Sequence, residues 1–214
     1  MILSSRLIVL NSTKVGDNSL VLHCISRELG RRSFIVGLRK GGSKALFLPL
    51  SIINAEIVEN PRSDLWRLRG ISAPWPLGSL RDSFDKNAIT MFMSEVLWRS
   101  LQSADPEIYD WCEKSILTLD SLQGDYSNYH LRFLLELSSV LGFSPSFESL
   151  APFAEGNLRE LQDLLRADFA GFLIYPLSGE RRSAIAETLL RYISVHSEIP
   201  LNIRSLAVLS EIYR

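Results

Sequence analysis

Hydrophobic side chains over roughly the first 75 residues follow the period of β-strands. In residues 20–25, Leu20, Leu22 and Cys24 fall on one face of an extended chain and the residues between and after them on the other. Similar runs occur at residues 7–10, 33–38, 51–58 and 65–71, separated by segments rich in Gly, Asn and Pro. Five short strands with such turns predict a small barrel. An OB-type barrel, whose sheet face and loops commonly carry oligonucleotide sites, fits the pattern, and the strand count also permits an SH3-like barrel.

A different period begins beyond residues 73–78, where Pro74, Pro76 and Gly78 break any regular β-ladder. From there apolar residues recur at helical spacing. The pattern predicts helices after a cap at Ser79 or Ser83, after an Asp105 N-cap, and over about residues 127–141, 158–166, 180–195 and 203–213. The helix at residues 127–141 is apolar on most sides and is predicted to be the buried centre. We therefore predict an α+β chain with a five-stranded OB-fold barrel over residues 1–75 and a helical domain over residues 79–214.

Charge is divided unevenly along the chain, although the net charge of its 214 residues is only -1. Residues 1–75 carry eleven Lys or Arg against five Asp or Glu, whereas residues 76–214 carry twelve against nineteen. Such asymmetry indicates two functional zones, of which the basic one attracts phosphates whatever the overall charge. With 46% hydrophobic residues, the chain can also bury a sizeable core.

Basic residues concentrate between Arg27 and Lys44, where a basic strand leads into a loop that contains Gly41 and Gly42. Lys and Arg neutralise phosphates and give affinity without sequence preference. The candidate DNA surface comprises Lys14, Arg27, Arg31, Arg32, Arg39, Lys40, Lys44, Arg67 and Arg69, of which the last two share one face of the fifth strand by their i, i+2 spacing. The alternative interpretation is an ordinary solvated basic face.

Three aromatic side chains accompany these cations. Phe34, Phe47 and Trp66 are candidates to stack on bases, a contact worth roughly 1 to 3 kcal/mol per base. Phe34 and Trp66 alternate with apolar neighbours, so a core position is the simpler interpretation for both. Phe47, which follows the glycine loop, is the best stacking candidate.

Four stretches of the chain carry a resemblance to a known family. They are Arg6-Leu-Ile-Val-Leu10 with Gly16-Asp-Asn-Ser-Leu20 and Ser26-Arg-Glu-Leu-Gly-Arg-Arg-Ser-Phe-Ile-Val36; Leu48-Pro-Leu-Ser-Ile-Ile-Asn-Ala-Glu56; Tyr129 to Phe143; and Arg191-Tyr-Ile-Ser-Val-His196 with Arg204-Ser-Leu-Ala-Val-Leu209. In order and spacing they resemble the bacterial recombination mediator family RecO.

The resemblance implies an N-terminal OB fold, a helical C-terminal domain and a role in DNA repair and recombination after DNA damage. It also implies binding of single- and double-stranded DNA, annealing of complementary strands, and loading of RecA onto DNA coated by single-stranded DNA-binding protein. The implied partners are RecR, the RecA filament and the C-terminal tail of single-stranded DNA-binding protein. Many members carry a four-cysteine zinc module, whereas residues 144–184 contain no cysteine. We therefore expect a zinc-free variant without metal or cofactor.

Arg132 is the candidate partner-binding residue of the helical domain. It lies among apolar neighbours in residues 130–136, and a cation there needs a partner. One interpretation is an internal pair with Glu136 at i, i+4. The other, suggested by the family, is that Arg132 meets a carboxylate in the tail of single-stranded DNA-binding protein.

Motifs for catalysis are missing from the sequence. The three histidines are widely separated, and Gly41-Gly-Ser-Lys44 lacks the residues of a phosphate-binding loop. Cys24 and Cys112 form no C-x-x-C pair, and no apolar run approaches the roughly 18 to 20 residues of a membrane span. We predict a cytoplasmic, nucleoid-associated protein that is not an enzyme. The alternatives are a protein-interaction scaffold without DNA binding and an RNA-binding accessory factor.

Overall fold

The N-terminal part of the chain forms a closed five-stranded barrel, and helices follow it in sequence, which confirms the predicted fold class. The computed structural model describes residues 2–38 and 44–213. The strands are β1 (Ile2–Val15), β2 (Ser19–Ser26), β3 (Gly30–Gly37), β4 (Ile52–Val58) and β5 (Trp66–Ser72). Around the barrel their order is β1-β2-β3-β5-β4, and β1 closes the ring by pairing with β4.

The long first strand serves two partners. Residues 2–8 pair with β4, and residues 7–15 pair with β2. The β1–β2 register shifts between Val9 and Asn11, and such a bulge bends a strand and increases its twist. One strand can therefore turn the corner between two neighbours and close a small barrel.

Parallel pairing of β3 with β5 is short. It comprises only Phe34 with Trp66 and Ile35 with Arg67, whereas the neighbouring antiparallel ladders are longer. Past Ile35 the two strands are no longer paired, and the 3-10 helix Lys44–Phe47 contributes Leu46 and Phe47 beside them. The groove described below lies at this interruption.

The barrel core is built from the inward-facing residues of every strand. Its fully or nearly fully buried members are Leu7, Val9, Leu22, Cys24, Phe34, Val36, Ile53, Ala55, Ile57 and Leu68. Strand side chains alternate, so the residues between these positions point outward. Arg67 and Arg69 therefore lie outside, on either side of the buried Leu68.

The chain divides into two compact units. The barrel unit contains residues 1–78 and 101–116, and the helical unit contains residues 79–100 and 117–214. In the barrel unit, Gly30 has a φ of +64°, and a Cβ there would lie 2.5 Å from the backbone of Ser103 and Ala104. Only glycine fits so close an approach. The sequence predicts a barrel domain over residues 1–75 and a helical domain over residues 79–214, each a continuous segment. The two compact units are each made of two segments, and the limits of independently folding domains stay a prediction.

Nine α-helices occur in the described part of the chain: α1 (Ser79–Asp82), α2 (Phe84–Ser100), α3 (Pro106–Ser121), α4 (Tyr129–Val140), α5 (Phe147–Leu150), α6 (Leu158–Arg166), α7 (Phe169–Ile174), α8 (Gly179–Ser197) and α9 (Ser205–Ile212). The sequence pattern predicts the six longer ones and misses α1, α5 and α7. Each of these three has at most six residues, too few to show a helical period. None of the helices described is long and apolar enough to cross a membrane.

Helix α4 is the buried centre of the helical unit, as predicted, with Leu131, Phe133, Leu134 and Leu137 in the core. Asn128, immediately before it, is fully buried. Its Nδ2 donates to the carbonyl oxygens of Phe172, Leu173 and Tyr175, and its Oδ1 accepts from Arg182 Nε at 2.9 Å. One amide thus satisfies the backbone at the end of α7 and links it to α8.

Candidate nucleic-acid interface

A groove of about 670 Å³ opens where β3 and β5 stop pairing. We call it the β3–β5 groove; it is lined by Ser19, residues 35–38, Leu46 and Phe47, and residues 67–71. All of these residues belong to the barrel unit. In an OB-type barrel, oligonucleotides commonly bind the sheet face and the loops beside it. The groove is therefore the natural place to look for a nucleic-acid site.

Apolar side chains form much of the groove wall. Ile35, Leu38, Leu46, Phe47 and Ile71 all line it and are partly exposed. Leu46, Phe47 and Ile71 also pack against the barrel core, which fixes their positions. Such a wall offers flat apolar contact to an unstacked base, and the ring of Phe47 is the aromatic group in it.

Arg67 and Arg69 stand on the rim of this groove. Both side chains are exposed, and no hydrogen bond, ion pair or ring contact joins either guanidinium group to another described residue. The prediction that they share one face of the fifth strand is confirmed, because Leu68 between them points into the core. Their guanidinium groups are free to neutralise phosphates.

Two lysines lie near the same end of the barrel. Lys44 is exposed at the start of the 3-10 helix that carries Leu46 and Phe47. Lys14 is exposed on β1 opposite Leu20, next to the Ser19 that lines the groove. Arg39 and Lys40 lie outside the described residues. Their role in DNA binding stays a prediction.

The stacking role predicted for Phe34 is wrong. Its side chain is 0% exposed in the barrel core, so its ring cannot meet a base. Alternation alone does not reveal which of two apolar faces points inward. Trp66, opposite Phe34 in the β3–β5 register, packs against the core too, and the Arg32 guanidinium lies 3.6 Å from the centroid of its ring. The Arg32 guanidinium therefore makes a cation–π contact with the ring of Trp66.

Arg31 lies beside His23 on the outer surface of the β2–β3 pair. Burial, and then the Arg31 guanidinium, lower the pKa of His23 below its usual value, so His23 is neutral at pH 7. The His23 Nδ1 lies 2.8 Å from Ser33 Oγ. His23 thus has a hydrogen-bond partner on the neighbouring strand.

Arg27 is not brought to the groove. It lines a second cavity of about 500 Å³ in the barrel unit, which we call the polar pocket. This pocket is lined by residues 4–6, 27–28 and 54–56, Gly70, Tyr109, Asp110 and Glu113. Arg27 Nη1 donates to Asp110 Oδ1 at 2.9 Å, so this cation already has an anionic partner. A DNA contact at Arg27 remains a prediction and would have to displace that partner.

Arg6 also has an anionic partner, and it contacts both oxygens of that carboxylate. Arg6 Nη1 donates to both carboxylate oxygens of Glu113, at 3.0 and 3.2 Å, and the guanidinium lies 4.7 Å from the Trp75 ring centroid. The predicted N-cap at Asp105 is confirmed, because its Oδ1 accepts from the N–H groups of Glu107 and Ile108. Sequence reasoning missed that Asp110 and Glu113, further along α3, pair with Arg27 and Arg6. Their i, i+3 spacing places both carboxylates on one helix face, which was the signal available in the sequence.

Arg132 makes the internal pair that was one of its two predicted roles. Its Nε donates to Glu136 Oε1 at 2.6 Å, and its guanidinium lies 5.6 Å from the ring centroid of Phe172 and 6.0 Å from that of Phe169. The side chain is still 28% exposed, and Phe169 is partly exposed beside it. A role in binding a partner's tail stays a prediction.

The potential metal ligands of the described residues lie apart from one another. Residues 2–38 and 44–213 hold no group of three or more His, Cys, Asp or Glu side chains placed to bind a metal ion. Burial raises the pKa of both cysteine thiols well above the usual range, and the two thiols are buried in separate places. The described residues therefore offer neither a metal centre nor a reactive thiolate.

Known proteins match both parts of the chain. A family model described as "Recombination protein O C terminal" matches residues 81–151. The DNA repair protein RecO of Phocaeicola vulgatus is 34% identical over 178 residues, which cover 80% of this chain and 70% of that protein. The protein of the same name from Flavobacterium johnsoniae is 31% identical over 157 residues, covering 70% and 66%. That of Azobacteroides pseudotrichonymphae is 23% identical with both chains fully covered. The chain therefore belongs to the RecO family of DNA repair proteins.

Proposed function

We propose that this protein is a recombination mediator that binds DNA in the β3–β5 groove and acts without catalysing a reaction. Membership of the family places it in DNA repair and recombination. One observation carries the finer proposal. Arg67 and Arg69, whose guanidinium groups have no partner among the described residues, line the same groove as an apolar wall that includes Phe47. Cations that hold the backbone and a wall that accepts bases are the two components of a single-strand site.

The proposed mechanism is stoichiometric. Arg67 and Arg69 hold phosphates without reading sequence, so any strand can bind. Strands held on one protein surface meet at a raised effective concentration, which speeds pairing of complementary strands. Duplex DNA would contact the same cations through its backbone alone. This mechanism needs no general acid, nucleophile or metal ion.

The helical unit is the proposed partner-binding part. We propose that Arg132, with the partly exposed Phe169 beside it, meets the C-terminal tail of single-stranded DNA-binding protein. An apolar ring next to a guanidinium suits a peptide that ends in a hydrophobic residue and a carboxylate. Through such contacts, and through contacts with RecR, the protein would reach coated DNA and help RecA to load.

The proposal is tested by annealing of two complementary oligonucleotides, one carrying a donor dye and the other an acceptor, in the absence of nucleotide. We expect the full chain to accelerate annealing in proportion to its concentration. Arg67→Ala/Arg69→Ala should remove most of the acceleration. The matched control Lys114→Ala/Arg159→Ala removes the same charge from exposed positions away from the groove and should keep it.

Other outcomes identify the alternatives. Equal loss of annealing in both double variants would show that overall charge, not the groove, is responsible. Absence of DNA binding even at low salt would favour a protein-interaction scaffold. Tighter binding of an RNA oligomer than of the DNA oligomer of the same sequence would favour an RNA-binding factor.

A further inference from the structure

The polar pocket differs in charge from the β3–β5 groove. Its lining contains four carboxylates, from Glu28, Glu56, Asp110 and Glu113, and two guanidinium groups, from Arg6 and Arg27. Both guanidinium groups are paired, Arg6 with Glu113 and Arg27 with Asp110. The surplus charge in the pocket is therefore negative, and it disfavours a nucleic-acid backbone.

Glu28 and Glu56 carry the surplus. Both are exposed, and neither makes an ion pair with another described residue. Glu28 Oε2 accepts a hydrogen bond from Ser5 Oγ at 2.6 Å, which orients its carboxylate. Glu56 lies opposite Arg69 in the β4–β5 register, yet the two side chains are not joined by a salt bridge. Two carboxylates without cationic partners in one cavity favour the binding of a positively charged group.

A second observation, independent of the carboxylates, is a buried hydroxyl without a partner in the pocket lining. Tyr109 is only 5% exposed, and its hydroxyl is buried without a hydrogen-bond partner among the described residues. Burial, and then the Glu113 carboxylate, raise the pKa of Tyr109 far above its usual value, so the hydroxyl stays protonated. Buried hydroxyls without partners are uncommon because they lose their hydrogen bonds to water. Tyr109 lines the pocket, and its covered hydroxyl can accept a hydrogen bond from an entering group once the side chains over it move aside.

We propose that the polar pocket receives an arginine side chain from a partner protein. No metal-binding cluster occurs among the described residues, so the fitting cation is organic. A planar guanidinium has five N–H donors, so it can hydrogen-bond to carboxylate oxygens and to a hydroxyl at the same time. The long apolar stem of arginine lets its charged end reach a buried floor while the partner's backbone stays outside.

This inference goes beyond the proposed DNA function and is separable from it. Gly70 lines both the polar pocket and the β3–β5 groove, so its backbone amide reports on either site. The pocket is anionic and the groove cationic, so an arginine peptide and a DNA strand should occupy different places.

The test is a titration of the isotope-labelled full chain, followed by amide nuclear magnetic resonance. The probe is a capped Gly-Gly-Arg-Gly-Gly peptide, and its control is the citrulline peptide, which has nearly the same shape without the charge. We expect the arginine peptide to shift the amide resonances of Gly70 and Ser5 saturably, and the citrulline peptide to leave them in place. Absence of saturable shifts, or equal shifts with citrulline, would overturn the proposal.

Three variants sharpen the test. Glu56→Gln should weaken the peptide about tenfold, since a hydrogen bond to a charged group is lost, whereas the exposed-acid control Asp64→Asn should not. Tyr109→Phe should also weaken the peptide while leaving the melting temperature unchanged or higher, because it removes a buried hydroxyl that lacks a partner. Unchanged peptide affinity in Glu56→Gln would contradict the proposal. Arg67→Ala/Arg69→Ala should weaken DNA binding and keep the peptide affinity, so the two proposals fail independently.

Discussion

The arginines of the β3–β5 groove and the buried cations of the helical unit have opposite surroundings. Arg67 and Arg69 are exposed and, within the described residues, contact no anion or ring. Lys86, in contrast, is 2% exposed, and its ammonium donates to Ser79 Oγ and to the carbonyl oxygens of Asp120 and Leu122. Arg182 likewise donates to Asn128 and to the Leu177 carbonyl oxygen.

The comparison separates cations that the fold pairs from cations that it leaves without a partner among the described residues. The cations of the helical unit hold chain segments together, so they are parts of the fold. The cations of the groove stabilise nothing inside the described protein. Under the proposed function, they bind the phosphates of a DNA strand. Substitutions of paired and unpaired charged side chains test this comparison, because the paired ones should affect stability and the unpaired ones DNA binding.

The largest effect is expected for Lys86→Met. The substitution keeps an apolar stem but leaves the carbonyl oxygens of Asp120 and Leu122 without their donor. Burial lowers the pKa of Lys86 while the Asp120 carboxylate opposes that shift. We expect a loss of about 3 kcal/mol in the free energy of unfolding, measured by urea denaturation. DNA affinity of the folded fraction should not change.

The exposed Lys114→Met is the control for that measurement. It should alter stability by less than about 0.5 kcal/mol. If Lys86→Met matched this control, the ammonium would not be a structural element, and the distinction between the two kinds of cation would not hold.

A smaller effect is expected for Glu95→Gln. The Glu95 carboxylate accepts from the N–H groups of Arg204 and Ser205 and from Ser205 Oγ, at 2.7 to 3.1 Å, and so caps the start of α9 from α2. Burial raises the pKa of Glu95, but the hydrogen bonds from Ser205 and Arg204 and the charge of Arg99 outweigh it, so the pKa is lowered overall. At pH 7 the variant should lose about 1 to 2 kcal/mol of stability.

The sign of the pH dependence follows from that lowered pKa. A carboxylate with a lower pKa in the folded chain stabilises it fully above the unfolded value, about 4.3, and loses this contribution as pH falls through the folded value. The gap in unfolding free energy between the parent chain and Glu95→Gln should therefore narrow below about pH 4. A gap that is constant from pH 7 to pH 3 would contradict the capping role.

The smallest effect on stability is expected for Arg132→Ala. Its ion pair with Glu136 spans i, i+4 and is partly exposed, and such pairs contribute about 0.3 to 0.5 kcal/mol. If Arg132 also serves a partner, the variant should weaken binding of the tail peptide of single-stranded DNA-binding protein about tenfold, measured by anisotropy. Arg191→Ala, which breaks the ion pair with Glu155, is the control. Unchanged peptide affinity would leave Arg132 as a purely internal cation.

Much of the fold could be predicted because it depends on local patterns. The bounds of α6 match the predicted residues 158–166, and Asp105 caps α3 as its position before Pro106 indicates. What failed depends on contacts distant in sequence. Arg27 meets Asp110 across 83 positions, and residues 101–116 join the barrel unit, which no periodicity could reveal.

The site was predictable in part for the same reason. The i, i+2 spacing of Arg67 and Arg69 places them together on one strand face whatever the fold around them. The wall that faces them is different. Leu46 and Ile71 reach one groove because β3 and β5 pair over only two positions, a property of the closed barrel and not of either strand.

The most direct measurement is the affinity for fluorescent single-stranded DNA over a series of salt concentrations, in the parent chain and in Arg67→Ala/Arg69→Ala. Each phosphate contact contributes to the slope of log affinity against log salt. Loss of two contacts should lower affinity on the order of tenfold at low salt and reduce the magnitude of the slope by about 1 to 2, with Lys114→Ala/Arg159→Ala close to the parent chain. A slope and an affinity that the groove variant shares with the parent chain would contradict DNA binding in the β3–β5 groove.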